Sequence, residues 1–292
     1  MLEGFNDVSS TVDGIRIRAV KGGQGPALLL LHGHPQTLMI WHKVLPQLAR
    51  HFTVVASDLR GYGDSDKPEG DAGHANYSKR RMALDQVGLM RALGHPEFAV
   101  IGHDRGGRVA ARMALDHPAA VRRLVTLDVA PTLAMYEKTT FDFAKAYWHW
   151  FMLVRPAPFP ETLIRCDPDL YLKQTIGARS AGLAPFAPQA YAEYLRCLSL
   201  PGTAHGICED YRAGITIDLE HDRASLAAGE QIACPFLALW GRDGVIEKCF
   251  DPLAEWQAYA PQVTGEALPC GHYIPEEAPQ ALLERVLPFL AA

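Results

Sequence analysis

The sequence predicts an α/β fold in which a mostly parallel central sheet has helices on both faces and carries a helical insertion. Two observations support this fold class. Short apolar runs of strand length alternate with amphipathic stretches, the order expected when crossover helices join parallel strands. Between residues 131 and 228 the strand-like runs stop and helical periodicity dominates, which indicates an insertion over one end of the sheet.

Seven stretches are predicted as strands of this sheet. Residues 15–18 alternate apolar and charged side chains and, continued to residue 20, indicate an antiparallel edge strand. Several of the others are apolar almost throughout, as in strands covered on both faces. These others span residues 27–31, 53–57, 98–101, 124–127, 236–240 and 264–268. We expect residues 1–130 and 229–292 to form a core domain and residues 131–228 a helical cap domain.

Composition and charge exclude several classes of function. The net charge of -5 and the absence of any Lys/Arg run longer than a triplet argue against nucleic acid or an acidic membrane as a partner. Residues 1–13 lack the basic and apolar regions of a secretion signal, so we expect a soluble, cytoplasmic protein. The six scattered cysteines contain no C-x-x-C pair and indicate buried, reduced thiols, without a disulfide frame or zinc site.

A carboxylate occupies the position of a nucleophile after the third parallel strand. Open parallel sheets bind ligands beyond the carboxyl ends of their strands. There the segment Gly102-His103-Asp104-Arg105-Gly106 has the pattern Gly-x-nucleophile-x-Gly, in which small residues allow a strained turn that exposes the central side chain. An ionised aspartate needs no activating base and suits displacement at a saturated carbon. The alternative is that Asp104 only caps the following helix.

Two acids and one histidine complete a candidate catalytic set. Asp128 follows the next strand, Asp243 follows the strand after the insertion, and His272 follows the last strand. The chain order of nucleophile, acid and histidine predicts His272 as general base, with one of the two acids fixing its tautomer. The order alone leaves the choice of acid open, and His272 could instead be an ordinary surface or core histidine.

Two long segments of the chain resemble the α/β-hydrolases that carry an aspartate nucleophile. The segments are residues 32–107 and 240–272, and the resemblance extends over nearly the whole chain. These hydrolases include haloalkane dehalogenases, soluble epoxide hydrolases and haloacetate (fluoroacetate) dehalogenases. The first two commonly have tryptophan after the nucleophile. Here Arg105 follows it, and the string Asp-Arg-Gly-Gly-Arg resembles the fluoroacetate dehalogenases.

Arg105 and Arg108 indicate an anionic substrate independently of the resemblance. Spaced at i and i+3 on a helix, they can face one spot beside Asp104 and hold a carboxylate with two forked guanidiniums. Burying them unpaired would cost about 3–5 kcal/mol. The alternative is a structural network in which Arg105 pairs with Asp104 and Arg108 with another acid.

The resemblance also assigns the halide site and the orienting acid. It places the halide on His149, Trp150 and Tyr211, whose N–H and O–H groups are all donors, although an aromatic cluster of this kind also suits a helical core. It favours Asp128 over Asp243. It implies a homodimer associated through the cap.

His34 departs from the pattern, since relatives commonly have an aromatic residue such as Phe after His-Gly. Its backbone N–H and that of Arg105 are predicted to form the oxyanion hole.

The predicted activity is hydrolysis of fluoroacetate or a related 2-haloacid to a 2-hydroxyacid and halide, with no metal or organic cofactor. Two alternatives remain at this stage. His32-Gly33-x-Pro35 and several cap tyrosines suit an epoxide hydrolase, although Arg105 has no role with a neutral epoxide. A ligand-binding protein on a retired hydrolase fold is the other alternative, because fold alone does not establish chemistry.

Overall fold

The computed structural model describes residues 2–179 and 181–292, and these contain an eight-stranded sheet of order β1-β2-β4-β3-β5-β6-β7-β8. The strands are β1 (Asn6–Val12), β2 (Ile15–Gly22), β3 (Ala27–Leu31), β4 (Thr53–Ser57), β5 (Phe98–His103), β6 (Val121–Leu127), β7 (Phe236–Gly241) and β8 (Thr264–Leu268). β3 to β8 are mutually parallel, whereas β2 pairs antiparallel with both β1 and β4. The predicted α/β-hydrolase fold, with its mostly parallel sheet, is confirmed.

The edge of the sheet differs from the prediction. β2 is antiparallel as expected, but β1 pairs along its outer side, so β2 is not an edge strand. The sequence pattern did not predict β1, because this strand is polar and largely exposed, with no residue fully buried. The missed signal is Asp13-Gly14, since both residues have positive φ (47° and 80°), as a two-residue hairpin turn requires.

Helices cover both faces of the sheet. They are α1 (Leu45–Leu48), α2 (Lys79–Ala92), α3 (Arg105–Asp116), α4 (Thr132–Glu137), α5 (Phe141–Ala146), α6 (Trp148–Leu153), α7 (Phe159–Cys166), α8 (Pro168–Ile176), α9 (Pro188–Leu198), α10 (Thr203–Ile215), α11 (Ile217–Ala227), α12 (Val245–Cys249), α13 (Pro252–Gln257), α14 (Ile274–Glu277) and α15 (Pro279–Ala291). Successive leucines of β3 alternate between two cores. Leu29 packs with α2 and α3, and Leu28 packs with α1 and α15. A membrane-crossing helix is not found in the described part of the chain.

The segment between β6 and β7 is helical throughout its regular structure and holds α4 to α11. Local sequence sets several of its helix starts. The Thr140 side chain accepts a hydrogen bond from the Phe143 N–H at the start of α5, and Asp167 caps α8 in the same way before Pro168. This segment brings α6 and α10 over the carboxyl ends of the strands. Its status as a separate cap domain, residues 131–228, stays a prediction.

The six cysteines all carry free thiols. The expectation that they are buried holds for three of them. Cys197, Cys208 and Cys270 are buried, whereas Cys166 is exposed and the other two are half-buried.

Candidate active site

Asp104 lies on the sharp turn between β5 and α3. Its backbone has φ 49° and ψ −113°, a strained conformation for a residue with a side chain. Glycine is required on both sides. A Cβ at Gly102 would lie 2.3 Å from the Gly106 carbonyl oxygen, and one at Gly106 would lie 2.4 Å from that of His32. The Asp104 side chain makes no capping hydrogen bond to α3, so the helix-cap alternative does not describe it.

The loop after β3 supplies a backbone donor to this carboxylate. The His34 N–H donates to Asp104 Oδ1 at 2.9 Å. The close approach needs Gly33, where a Cβ would lie 2.4 Å from the Asp104 Cβ. The amide of His34 is therefore placed to stabilise negative charge that develops on an Asp104 ester. The matching role of the Arg105 amide stays a prediction.

His272 lies between the two aspartates. Its Nδ1 is 2.5 Å from Asp128 Oδ2, and its Nε2 is 3.8 Å from Asp104 Oδ2. The other oxygen of Asp128 accepts a hydrogen bond of 2.8 Å from the Gly241 N–H, which holds the carboxylate in place. Asp243 is exposed. The geometry thus favours Asp128 as the orienting acid, with the His272 Nε2 directed towards the nucleophile.

The protonation states follow from burial and neighbouring charge. Burial opposes ionisation of Asp104, but the positive charges around it, including that of Arg179, outweigh the burial and hold its pKa well below the usual range. Burial and the adjacent Arg179 hold the pKa of His272 well below its ordinary value. Burial raises the pKa of Asp128 to about 7, although the hydrogen bond from the Gly241 N–H lowers it. The site is therefore poised with an ionised nucleophile and a neutral imidazole.

The Arg105 guanidinium is already paired with a carboxylate. Its Nε and Nη2 donate to the two Asp210 carboxylate oxygens at 2.8 and 2.7 Å, and its guanidinium lies 4.2 Å from the centre of the Tyr211 ring. Its Nη1 has no hydrogen-bond partner among the described residues. The expected pairing with Asp104 as a structural alternative is wrong, because the partner is Asp210. Carboxylate binding by Arg105 stays a prediction, and among the described residues only its Nη1 is unpartnered.

Arg108 is buried without a carboxylate within 4 Å among residues 2–179 and 181–292. Its Nη1 donates to the Ala130 carbonyl at 3.0 Å and to Thr132 Oγ1 at 2.8 Å, and its guanidinium stacks 4.8 Å above the Trp150 ring. Its Nε is unpartnered in the described structure. A structural pairing with an acid is therefore not what holds Arg108, and its charge is left for an anion. Its role as a carboxylate-binding residue stays a prediction.

The three residues assigned to the halide come together although they lie on two helices. His149 and Trp150 lie on α6 and Tyr211 on α10, with its ring centre 6.0 Å from that of His149 and 6.1 Å from that of Trp150. All three are buried, and His149 Nε2, Trp150 Nε1 and Tyr211 Oη have no partner among the described residues. Buried donors are almost always satisfied, so three together indicate a missing acceptor. Halide binding itself stays a prediction.

The His34 side chain borders the same space. Its ring stacks on His149 with centres 5.8 Å apart, and its Nε2 is 2.9 Å from the Tyr171 hydroxyl. Burial, followed by the charge of Arg179, lowers the pKa of His34 to about 3, so the ring is neutral. His34 thus contacts Asp104 through its backbone N–H and His149 through its ring.

Sequence reasoning missed two residues of the site. Asp210 binds Arg105 through two hydrogen bonds to its carboxylate, across 105 positions of the chain, and no local pattern marks it. Arg179 hydrogen-bonds to His272 Nε2 at 3.1 Å, and no local pattern marks it.

Residues 26–279 match the family described as alpha/beta hydrolase fold. A fluoroacetate dehalogenase of Burkholderia sp is 44% identical over 100% of this chain and 95% of its own. A soluble epoxide hydrolase of Corynebacterium sp. (strain C12) is 36% identical over 96% and 95% of the two chains. The solved α/β hydrolase of Nostoc sp PCC 7120 is 51% identical with a TM-score of 0.97, covering 99% of both chains. The chain therefore belongs to the α/β-hydrolase family.

Proposed function

We propose that the protein is a haloacetate dehalogenase that converts fluoroacetate or a related 2-haloacid into the 2-hydroxyacid and halide. One observation carries the proposal. The buried, ionised Asp104 is linked through His34 to three buried donors that have no acceptor among the described residues. The full-length similarity to a fluoroacetate dehalogenase supports the same activity.

In the first half of the reaction Asp104 attacks the α-carbon. A carboxylate oxygen forms a C–O bond as the C–halogen bond breaks, and the electron pair leaves with the halide. The unpartnered groups of His149, Trp150 and Tyr211 donate to the departing halide in a site that excludes water. Arg108, with the remaining N–H of Arg105, binds the substrate carboxylate. The product is a glycolyl-type ester on Asp104 and free halide.

In the second half His272 activates water. The Nδ1–H donates to Asp128, so the Nε2 lone pair takes a proton from water as the hydroxide adds to the ester carbonyl. The His34 amide, already 2.9 Å from Asp104 Oδ1, stabilises the oxyanion. Collapse of this intermediate breaks the bond to the hydroxyacid oxygen, which takes the proton from His272, and leaves Asp104 as a carboxylic acid. Release of that proton to solvent regenerates the ionised nucleophile. No metal or organic cofactor takes part in these steps.

The test is halide release combined with isotope labelling. Fluoride and chloride are measured with ion-selective electrodes after addition of the matched haloacetates. A single turnover in ¹⁸O-labelled water should place the label on Asp104 and leave the first hydroxyacid unlabelled. Label in that first product would exclude the ester intermediate, and no halide from any haloacetate would exclude the function.

An epoxide hydrolase is the second candidate, favoured by a specific observation. The Tyr136, Tyr147 and Tyr211 hydroxyls are buried and unpartnered among the described residues, as proton donors to an opening epoxide would be. A soluble epoxide hydrolase is also among the relatives. Against it, the buried Arg108 has no purpose beside a neutral substrate. Diol formation from styrene oxide without halide release from haloacetates would favour this alternative.

We also propose that residues 131–228 act as the cap of a cytoplasmic homodimer. Phe159, Leu163 and Leu170, on the neighbouring helices α7 and α8, are between 45% and 55% exposed, so apolar surface lies on this segment. Covering such a surface with a second copy would remove it from water. Sedimentation equilibrium of the wild-type protein and of L163E tests this, with a shift from dimer to monomer expected in the variant.

A further inference from the structure

The site is closed to solvent, so the substrate must be admitted. Asp104, His272 and His149 are each about 1% exposed. A surface cleft of about 510 Å³ lies beside them, lined on its polar side by Asp243, Lys248 and Glu277. Arg179 also lines this cleft. It is therefore a residue that borders both the outer cleft and the inner site.

The contacts of Arg179 on the inner side are all with neutral groups. Its Nη1 donates to His272 Nε2 at 3.1 Å, and its Nη2 donates to the Tyr273 hydroxyl at 2.6 Å and to the His34 carbonyl at 3.2 Å. Its Nε donates to the Thr175 carbonyl at 3.1 Å. Within the described ranges, no carboxylate lies within 4 Å of the guanidinium. Arg179 is only 6% exposed, so its charge is largely shielded from water.

The surroundings of Arg179 suit the binding of a carboxylate. A guanidinium binds a carboxylate through two parallel charge-assisted hydrogen bonds, which are about twice as strong as bonds to neutral acceptors. A haloacid carboxylate would therefore displace the imidazole nitrogen as a partner of Arg179. The exchange has a second effect, because the Nε2 lone pair that Arg179 occupies is the one that must accept a proton from water.

We infer that Arg179 is a third substrate-binding arginine: it takes up the carboxylate of the haloacid at the cleft and, in doing so, frees His272 Nε2. The inference rests on the proposed function and names a further residue for it. Arg105 is held by Asp210 and Arg108 lies deep beside Trp150, so neither borders the cleft as Arg179 does.

The experiment separates substrate binding from ester hydrolysis. In H272N the ester on Asp104 should accumulate, and its formation is followed by the mass gain of the Asp104 peptide at increasing chloroacetate concentration. The test protein is H272N/R179M. The matched control is H272N/K248M, because Lys248 lines the same cleft and carries the same charge, but is exposed and bonds only the Asp243 carbonyl among the described residues.

The half-saturating chloroacetate concentration should rise about tenfold or more in H272N/R179M, as expected for the loss of a charged hydrogen bond. It should change less than about twofold in the control, since an exposed charge contributes little. Equal half-saturation in H272N and H272N/R179M would overturn the inference. Equal increases in both double variants would also overturn it, because general attraction would then suffice.

A further variant covers the case in which R179M does not fold, as judged by circular dichroism. R179K keeps the charge but loses the fork, so H272N/R179K should show a rise of about threefold or more. An unchanged half-saturation there overturns the inference. Absence of any ester in H272N itself is a separate outcome, which would overturn the proposed function and the inference with it.

Discussion

His272 Nδ1 lies 2.5 Å from Asp128 Oδ2, while its Nε2 lies 3.8 Å from Asp104 Oδ2. The imidazole therefore has one nitrogen committed to an orienting acid and the other directed to the residue whose ester it would help to hydrolyse. The nucleophile itself needs no base, because it is already ionised. This division makes the two halves of the proposed reaction separable by mutation.

Asp128→Asn should stop the second half and spare the first. The amide cannot hold the Nδ1–H tautomer of His272, so steady-state turnover should fall by about 10³- to 10⁴-fold. One equivalent of halide per site should still be released, since alkylation of Asp104 does not use His272. Rapid-quench halide measurement separates the burst from turnover.

D243N is the matched control and should stay within about twofold of wild type, because Asp243 is exposed. A loss of turnover in D243N instead of D128N would reassign the orienting acid.

Tyr211→Phe should slow halide departure, and more for fluoride than for bromide. The hydroxyl, like His149 Nε2 and Trp150 Nε1, has no partner among the described residues, and fluoride is the stronger acceptor and the poorer leaving group. Loss of one such donor should reduce fluoride release by about 10²-fold.

The control for this prediction is Y259F. Tyr259 also has a buried, unpartnered hydroxyl in the described structure, but its ring packs on Trp256 and, among the described residues, contacts neither His149 nor Trp150. Its loss should leave both halides unaffected. Equal slowing of fluoride and bromide in Y211F would contradict a role in binding the leaving group.

The proposed catalytic residues lie where local sequence pattern determines position. Asp104 is marked by its flanking glycines, and Asp128 and His272 by following predicted strands. Arg179 and Asp210 could not be found this way. Arg179 contacts His272 across 93 positions, and Asp210 contacts Arg105 across 105. Both contacts depend on how the helices of residues 131–228 return over the sheet, which periodicity does not specify.

The fold shows the same division. Apolar runs predicted β3 and β4 to the residue, because strands buried on both faces must be apolar. β1 was missed because an exposed edge strand has no such requirement. Its existence depends on pairing with β2 across the turn at Asp13-Gly14. Arg105 shows the same contrast: local sequence predicted its position on the helix, but not its distant partner Asp210.

Asp210→Asn should destabilise the fold as well as the site. Besides Arg105, the Asp210 carboxylate bonds Lys79 and accepts a 2.7 Å hydrogen bond from the Tyr62 hydroxyl, and all four residues are buried. Removing the charge leaves the buried Arg105 uncompensated, although Lys79 keeps its pair with Asp218 at 3.2 Å, so the free energy of unfolding should fall by about 3–5 kcal/mol in urea titrations. D64N, which breaks a half-exposed pair with Arg196, should cost about 0–1 kcal/mol. Similar costs for both variants would contradict the assignment of Asp210 as a buried charge centre.

Glu276→Gln should raise the free energy of unfolding more at high pH than at low pH. Glu276 is buried, with Oε1 bonded to Tyr194 and Gln36 and Oε2 unpartnered among the described residues. Burial raises the pKa of this carboxyl from 4.5 to about 7. The folded state then binds more protons than the unfolded state between these values, so wild-type stability should fall as pH rises from about 4.5 to 7. The neutral amide removes this dependence. The difference in free energy of unfolding, E276Q minus wild type, should be more positive at pH 8 than at pH 4.5 by up to about 3 kcal/mol. An equal difference at the two pH values in E276Q would show that the pKa of Glu276 is not raised in the folded protein.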